Sequence, residues 1–172
     1  MIRETEVIKS FLSAETIIVD TREQKPYTFD CFTNVRAIKN KLRFGDYSVK
    51  GFEYDIVVER KTLADYIQSI TNNRERFIRE LVEISKRYLQ SAVVVEGNFN
   101  DIIGIRDSSG HSYLENHPGV NPSSLLGTTL SIQCNLGIPV FFAGDRIGAQ
   151  IWTLRFLMQA CKEVKKTRMA EW

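Results

Sequence analysis

Cysteine is scarce in this sequence: Cys31, Cys134 and Cys161 are odd in number, widely spaced and without a CxxC pair. That pattern excludes a disulfide framework and a four-cysteine zinc site, and makes a reducing compartment the default. Proline is also scarce, at four residues, and no Pro/Gly-rich linker, repeat or low-complexity tract divides the chain. No apolar run approaches the ~18–20 residues that a spanning helix needs. Glu4 and Glu6 precede any apolar stretch, so the N-terminus does not read as a signal peptide. The expectation is a protein that is not secreted: cytoplasmic if prokaryotic or viral, nuclear if eukaryotic. A surplus of charge is missing too, with 23 Lys+Arg against 21 Asp+Glu and a net charge of +2. This excludes a chain coated in positive charge but leaves nucleic acid open if the charge is locally sorted. Neither GxxxxGK[ST] nor GxGxxG occurs, which counts against a nucleotide-metabolising enzyme.

What is present fits one domain, residues 1–172: 43% hydrophobic and 26% charged residues, enough for a real core. Helical spacing of Val7, Ile8, Phe11 and Leu12 predicts a short N-terminal helix over 3–12. Thr16–Asp20 reads as a buried strand, 35–42 and 46–50 as candidate strands around Gly45, and 54–61 as a stronger one. Thr62 with Asp65 forms a capping box that opens a helix. A second helix over 74–89 carries the stripe Phe77, Leu81, Ile84 and Tyr88. Strands over 92–96 and 138–143 follow, separated by a polar loop over 104–121 and a helix from Asn121-Pro122 to about Asn135, stopped by Gly137. A last helix runs from Asp145 or Arg146 to about Lys166. Strands alternating with helices imply parallel pairing in the second half. Consecutive strands without helices imply an antiparallel meander in the first. The expected fold is α/β, a mixed central sheet with helices on both faces.

Chemistry concentrates at strand ends. Side chains alternate along a strand, so Glu59 and Lys61 leave one face roughly 6–7 Å apart while Arg60 points the other way. An oxygen ligand beside an ammonium suits phosphodiester hydrolysis, in which Mg²⁺ polarises the phosphate and a cation steadies the developing charge. Asp46, in a Gly-Asp turn, could supply a second ligand, and Asp20 and Glu23 also stand at a strand end.

Gly45-Asp46-Tyr47, then Glu59-Arg60-Lys61, then Asp65 after three residues resembles the G-D…E-R-K-x-x-x-D signature of the XPF family of structure-specific endonucleases. The similarity extends to IIVDTRE over 17–23, YIQSITNNR over 66–74, VVVEG over 93–97 and IPVFFA over 138–143. The resemblance implies a restriction-endonuclease-like core and a Mg²⁺- or Mn²⁺-dependent endonuclease acting on branched, flap or fork DNA in repair, recombination or replication. It implies that Asp46 and Glu59 bind the metal, with Asp20 as third carboxylate. Lys61 would orient water or stabilise the transition state, and Arg60 completes the catalytic triplet. Arg22, Glu23 and Asp65 would support the site, and Arg74 and Arg76 would touch DNA. The last helix is apolar around much of its circumference, with Ile147, Ile151, Leu154, Met158 and Cys161 in line and Trp152 and Phe156 off it, so it is either deeply buried or buries a second face on a partner; the resemblance implies a homodimer through it. Unlike most members, the chain shows neither helix-hairpin-helix modules nor a helicase, so the expectation is a stand-alone nuclease domain. The alternative is a catalytically silent DNA-binding subunit, against which stands the presence of every matching acid.

Plainer roles compete at several positions. Asp46 could be only a turn residue, and Glu59 with Lys61 only a solvated pair. Asp65 is explained as a helix cap, Arg60 equally as an ion-pair anchor, and Glu96 as structural. His111 and His117, near Asp107 and Glu115, read as solvated loop residues rather than a metal site. Cys134 and Cys161 read as packed core thiols. The arginines over 74–87 read either as a mixed solvated face or as a phosphate track.

Overall fold

The computed structural model describes residues 15–30, 32, 34–106, 109–117 and 119–170. The helix predicted over 3–12, Cys31 and Asp107 fall outside them. Six strands make one sheet: β1 (Thr16–Asp20), β2 (Arg36–Asn40), β3 (Tyr47–Val49), β4 (Ile56–Thr62), β5 (Gln90–Glu96) and β6 (Val140–Phe142). Their spatial order is β2-β1-β3-β4-β5-β6. Among the described residues five α-helices join them: α1 (Leu63–Ile70), α2 (Arg74–Arg87), α3 (Phe99–Ile103), α4 (Pro122–Leu136) and α5 (Arg146–Ala170). Pairing is parallel for β4–β5 and β5–β6, as the strand–helix alternation implies.

The two faces of the sheet follow from alternation along each strand. Ile17, Val19, Tyr47, Val58 and Val94 point to one side, where Leu154, Leu157 and Val164 of α5 cover them. Val57, Val93 and Val95 point to the other, against Tyr66, Leu81 and Ile84 of α1 and α2. Thr62 caps α1 as expected, its hydroxyl oxygen accepting from the Asp65 amide at 3.1 Å. Phe77, Leu81, Ile84 and Tyr88 are all buried. Gly137 ends α4 in the left-handed region at φ 66°.

The first half departs from the meander. β2 runs parallel to β1 on its outer edge, and β3 pairs antiparallel on the other side of β1. Parallel neighbours need a crossover, usually a helix. Here the described residues between β1 and β2 include no helix, and Tyr27, Phe29 and Phe32 bury themselves in the α5-side core instead.

Two smaller expectations also change, and one unassigned segment takes form. The 99–103 segment is a short helix, capped by Asn98, whose amide donates to Asp101 Oδ2 at 2.8 Å. The loop after it contains a 3₁₀ turn, Tyr113–Asn116, with Leu114 buried beneath it. Cys134 is exposed on α4, whereas Cys161 is buried and its thiol pushed up to about 11 by burial.

A candidate nuclease site at the ends of β1, β3 and β4

β4 is buried from Ile56 to Glu59 and emerges at its C-terminal end, where its charged residues come in succession. Val57, Glu59 and Lys61 share one face, so the apolar stripe that enters the core leaves it as a carboxylate and an ammonium. Glu59 Oε1 lies 2.7 Å from Lys61 Nζ. The Lys61 ammonium stands 5.2 Å from the centre of the Phe77 ring on α2.

Asp46 reaches the same place from the bend before β3. Gly45 adopts φ +67°, and a Cβ there would strike the Val57 side chain and lie 2.9 Å from the Val58 carbonyl oxygen. Only glycine allows this close passage. The Asp46 amide then donates to Val58 O at 2.9 Å, and its carbonyl accepts from the Asp20 amide at 2.8 Å. Asp46 Oδ2 accepts from the Arg60 amide at 2.8 Å. Asp46 is thus tied to β1 and β4 at once, with its carboxylate on the Glu59 side of the sheet.

Burial and the neighbouring Glu59 charge push Asp46 up to about 8, against the opposing pull of the Arg60 amide. Burial likewise raises Glu59, although Lys61 partly offsets it. For Lys61, burial favours the neutral form, but the Glu59 contact and the Asp46 and Glu80 charges prevail and hold it protonated. Glu80, on α2, was not singled out from the sequence, where it sat within a mixed charged face. Its influence on Glu59 and Lys61 arises only from the docking of α2 over β4.

Asp20 stands apart from the Asp46–Glu59 pair. Its Oδ1 accepts from the Arg22 amide at 2.9 Å and from Arg22 Nε at 2.6 Å, and its Oδ2 accepts from the Leu42 amide at 2.6 Å. Burial raises its pKa, but these bonds win and hold it below the usual carboxylate range. At 1% exposure Asp20 is a buried clamp on the turn after β1 and the loop after β2, not a lining residue of the cleft. Among the described residues, no group of three or more His, Cys, Asp or Glu side chains could hold a metal ion. His117 instead stacks on Tyr113, centroids 4.8 Å apart.

Asp46, Glu59 and Lys61 open into a cleft of about 460 Å³, with Arg22, Glu23, Asp65 and Arg76 also on its walls. Arg22, Glu23 and Asp65 thus line the same cleft as Asp46, Glu59 and Lys61, and Asp65 is part of the helix cap and of the cleft wall together. Arg76 is on the cleft wall, whereas Arg74 lies in a separate hollow with Glu75, Ile78, Arg79 and Ser131. Arg87 pairs with Glu83 at 2.6 Å, so the arginines of α2 do not form one track.

Arg60 lines the cleft only in part. Its guanidinium turns to the α5 side, where Nε and Nη2 donate to Glu96 Oε1 and Oε2 at 3.0 and 2.8 Å. Glu23 Oε1 stands 3.6 Å away. The ion-pair anchor is the reading this geometry favours.

By sequence the chain matches no curated protein at a significant level. Its fold is that of solved XPF structures. XPF from Aeropyrum pernix superposes with a TM-score of 0.63 at 20% identity, over 90% of this chain and 69% of that one. The same protein in complex with DNA gives 0.61 at 20% identity, over 87% and 66%. This likeness establishes the α/β fold, and the chain spans about two-thirds of those neighbours. The ERCC4 domain matches residues 19–156, from the end of β1 into α5 and across the whole cleft, and the chain therefore belongs to the ERCC4-domain family of nuclease domains.

Proposed function

We propose that this protein is a Mg²⁺- or Mn²⁺-dependent DNA endonuclease. The observation that carries the reading is the buried pair Asp46 and Glu59, held against mutual repulsion on one wall of a polar cleft beside a protonated lysine. Like carboxylates in low dielectric raise each other's pKa and favour a cation between them. Their hard oxygen atoms fit Mg²⁺ or Mn²⁺, and water and phosphate would complete the coordination that two side chains begin. Bound there, the cation supplies Lewis-acid polarisation of the phosphodiester and activation of water.

The protein's own groups do the rest. Asp46 and Glu59 hold the cation. Lys61, kept charged by Glu59, is a proton-bearing cation rather than a base, and stabilises negative charge developing on the phosphate. Arg22, exposed on the cleft rim, and Arg76 contact flanking phosphates. The products are a 5′-phosphate and a 3′-hydroxyl, and the substrate is flap, fork or otherwise branched DNA, as in the structure-specific endonucleases of this family. With a net charge of +2, affinity is modest, and it falls as salt rises because each phosphate contact releases counterions. Two copies associate through α5, where Ile147 and Trp152 are exposed at 46% and 44% and Trp152 stacks on Phe141 at 4.3 Å. Sedimentation that finds only monomer at micromolar concentration refutes the dimer.

Labelled linear, flap, fork and four-way DNAs, incubated with and without Mg²⁺ or Mn²⁺, test the reading. Cleavage that needs metal and disappears in Asp46→Ala is the expected result. No cleavage of any of these DNAs by the unsubstituted protein overturns it.

A further inference from the structure

Opposite the carboxylates, on the α5 side of the sheet, lies a second charged cluster that the cleavage chemistry does not use. Glu96, the last residue of β5, is its centre. Besides both Arg60 nitrogens, it accepts from the Tyr27 hydroxyl at 2.9 Å and from Arg146 Nη1 at 3.1 Å. Arg146, the first residue of α5, also donates through Nη2 to the carbonyls of Lys25 and Pro26 at 2.8 and 2.9 Å. Arg60 and Arg146 both lie against the Tyr27 ring, at 5.7 and 4.9 Å from its centre. Tyr27 in turn stacks on Tyr47 at 5.0 Å, and the Tyr47 hydroxyl accepts from the Tyr27 amide at 2.9 Å.

We infer that Glu96 is the positioning residue of the site: it locks Arg60 on the far side of β4 and, through Arg146, fixes the turn bearing Arg22 and Glu23. This rests on the nuclease reading for its consequence but not for its geometry. Arg60 touches both clusters. Its guanidinium belongs to Glu96, and its amide holds Asp46 Oδ2 at 2.8 Å. A bidentate carboxylate–guanidinium pair fixes direction as well as distance, so the pair sets the twist of β4 where that amide projects. Arg146 grips the chain just after Glu23 at two successive carbonyls, which sets the height of the cleft wall that Arg22, Glu23 and Lys25 form. Arg60 therefore acts through its backbone and its partner, and DNA is contacted by other residues.

Glu96→Gln, Arg60→Gln and the double variant test this. Glu96→Gln keeps the shape and some hydrogen bonds while removing the charge that holds both arginines. Backbone amide exchange is read first, because it needs neither metal nor DNA. Exchange at the Arg60 amide and across residues 22–27 should quicken about tenfold or more, with Val57 and Val93 unchanged. Unchanged exchange at Arg60 and 22–27 overturns the inference, whether or not the protein cleaves DNA.

Steady-state cleavage of fork DNA is read second. In both single variants kcat should fall by about tenfold or more with KM within twofold, and the double variant should be no worse than either. A rise in KM without loss of kcat, or additive losses, places Arg60 on the substrate and overturns the inference. Absence of cleavage by the unsubstituted protein refutes the nuclease reading alone, and the exchange result then still decides the role of Glu96.

Discussion

The two sides of β4 carry similar charges and opposite electrostatics. On the α5 side, every charge of Arg60, Glu96 and Arg146 meets a partner within 3.1 Å. Burial alone would raise Glu96, but bonds from Arg60 and Tyr27 and the Arg60 and Arg146 charges outweigh it and hold it below its ordinary range. On the α2 side, Asp46 and Glu59 share one lysine, and both are raised by burial. Removing charges from water is costly unless each is matched. The matched side is scaffold. The unmatched side stores repulsion, which is the arrangement expected where affinity for a cation matters more than stability.

The sharpest way to break this contrast is to remove the unmatched charge. Asp46→Asn should lower cleavage by ~10²–10³-fold or more. In metal-free buffer it should melt above the unsubstituted protein, and it should lose the rise in Tm that Mg²⁺ gives. A variant that melts lower and still gains from Mg²⁺ would show that the repulsion lies elsewhere. Next comes the bend that delivers Asp46. Gly45→Ala combines a positive φ with a collision against Val57 and should destabilise by ~2–3 kcal/mol or more, read by thermal or urea unfolding.

The matched side should respond to pH in the opposite sense. Because the folded protein holds Glu96 low, its contribution to stability is complete above the usual glutamate range and lost as pH falls through the depressed value. Glu96→Gln should flatten that acid limb of Tm against pH and remove about 1 kcal/mol at neutral pH, since the network is partly exposed. The smallest effect concerns α5, which covers this side. The Thr153 hydroxyl is the one fully buried side-chain polar atom among the described residues without a hydrogen-bond partner. Thr153→Val should raise stability by about 1 kcal/mol, and a loss would mean that the hydroxyl finds a partner in solution.

Much of this site was legible in the sequence because its signals are local. Glu59 and Lys61 are two apart, so the pleat of β4 puts them on one face and Arg60 on the other. Gly45-Asp46 marks a bend that only glycine tolerates, and Thr62 with Asp65 marks a helix start. The surroundings of Asp20 were not legible, because a carboxylate at a strand end looks the same in sequence whether it faces a cleft or caps a turn. Its partners Arg22 and Leu42 decide that, and Leu42 arrives from the loop after β2. β2 misled for a similar reason, since hydrophobic crossover segments without helices resemble meander connections. Ile147 was expected within the apolar line of the last helix and is exposed at its start. Arg74 and Arg76 are two residues apart yet reach different hollows, because helix periodicity separates them by roughly 200°.

What the sequence determined by itself was the order of elements, the apolar periods that bury them and the charged triplet that ends β4. These depend on interactions over a few residues, so spacing alone reveals them. Only the tertiary structure decided that Asp46 joins Glu59, that Asp20 turns away, and that Glu96 holds Arg60 from 36 residues further along the chain. The physical reason is that a charge is defined by what surrounds it. Burial, partners and repulsion come from segments distant in sequence, and the same carboxylate becomes clamp, cleft wall or strut according to which of them the fold brings near.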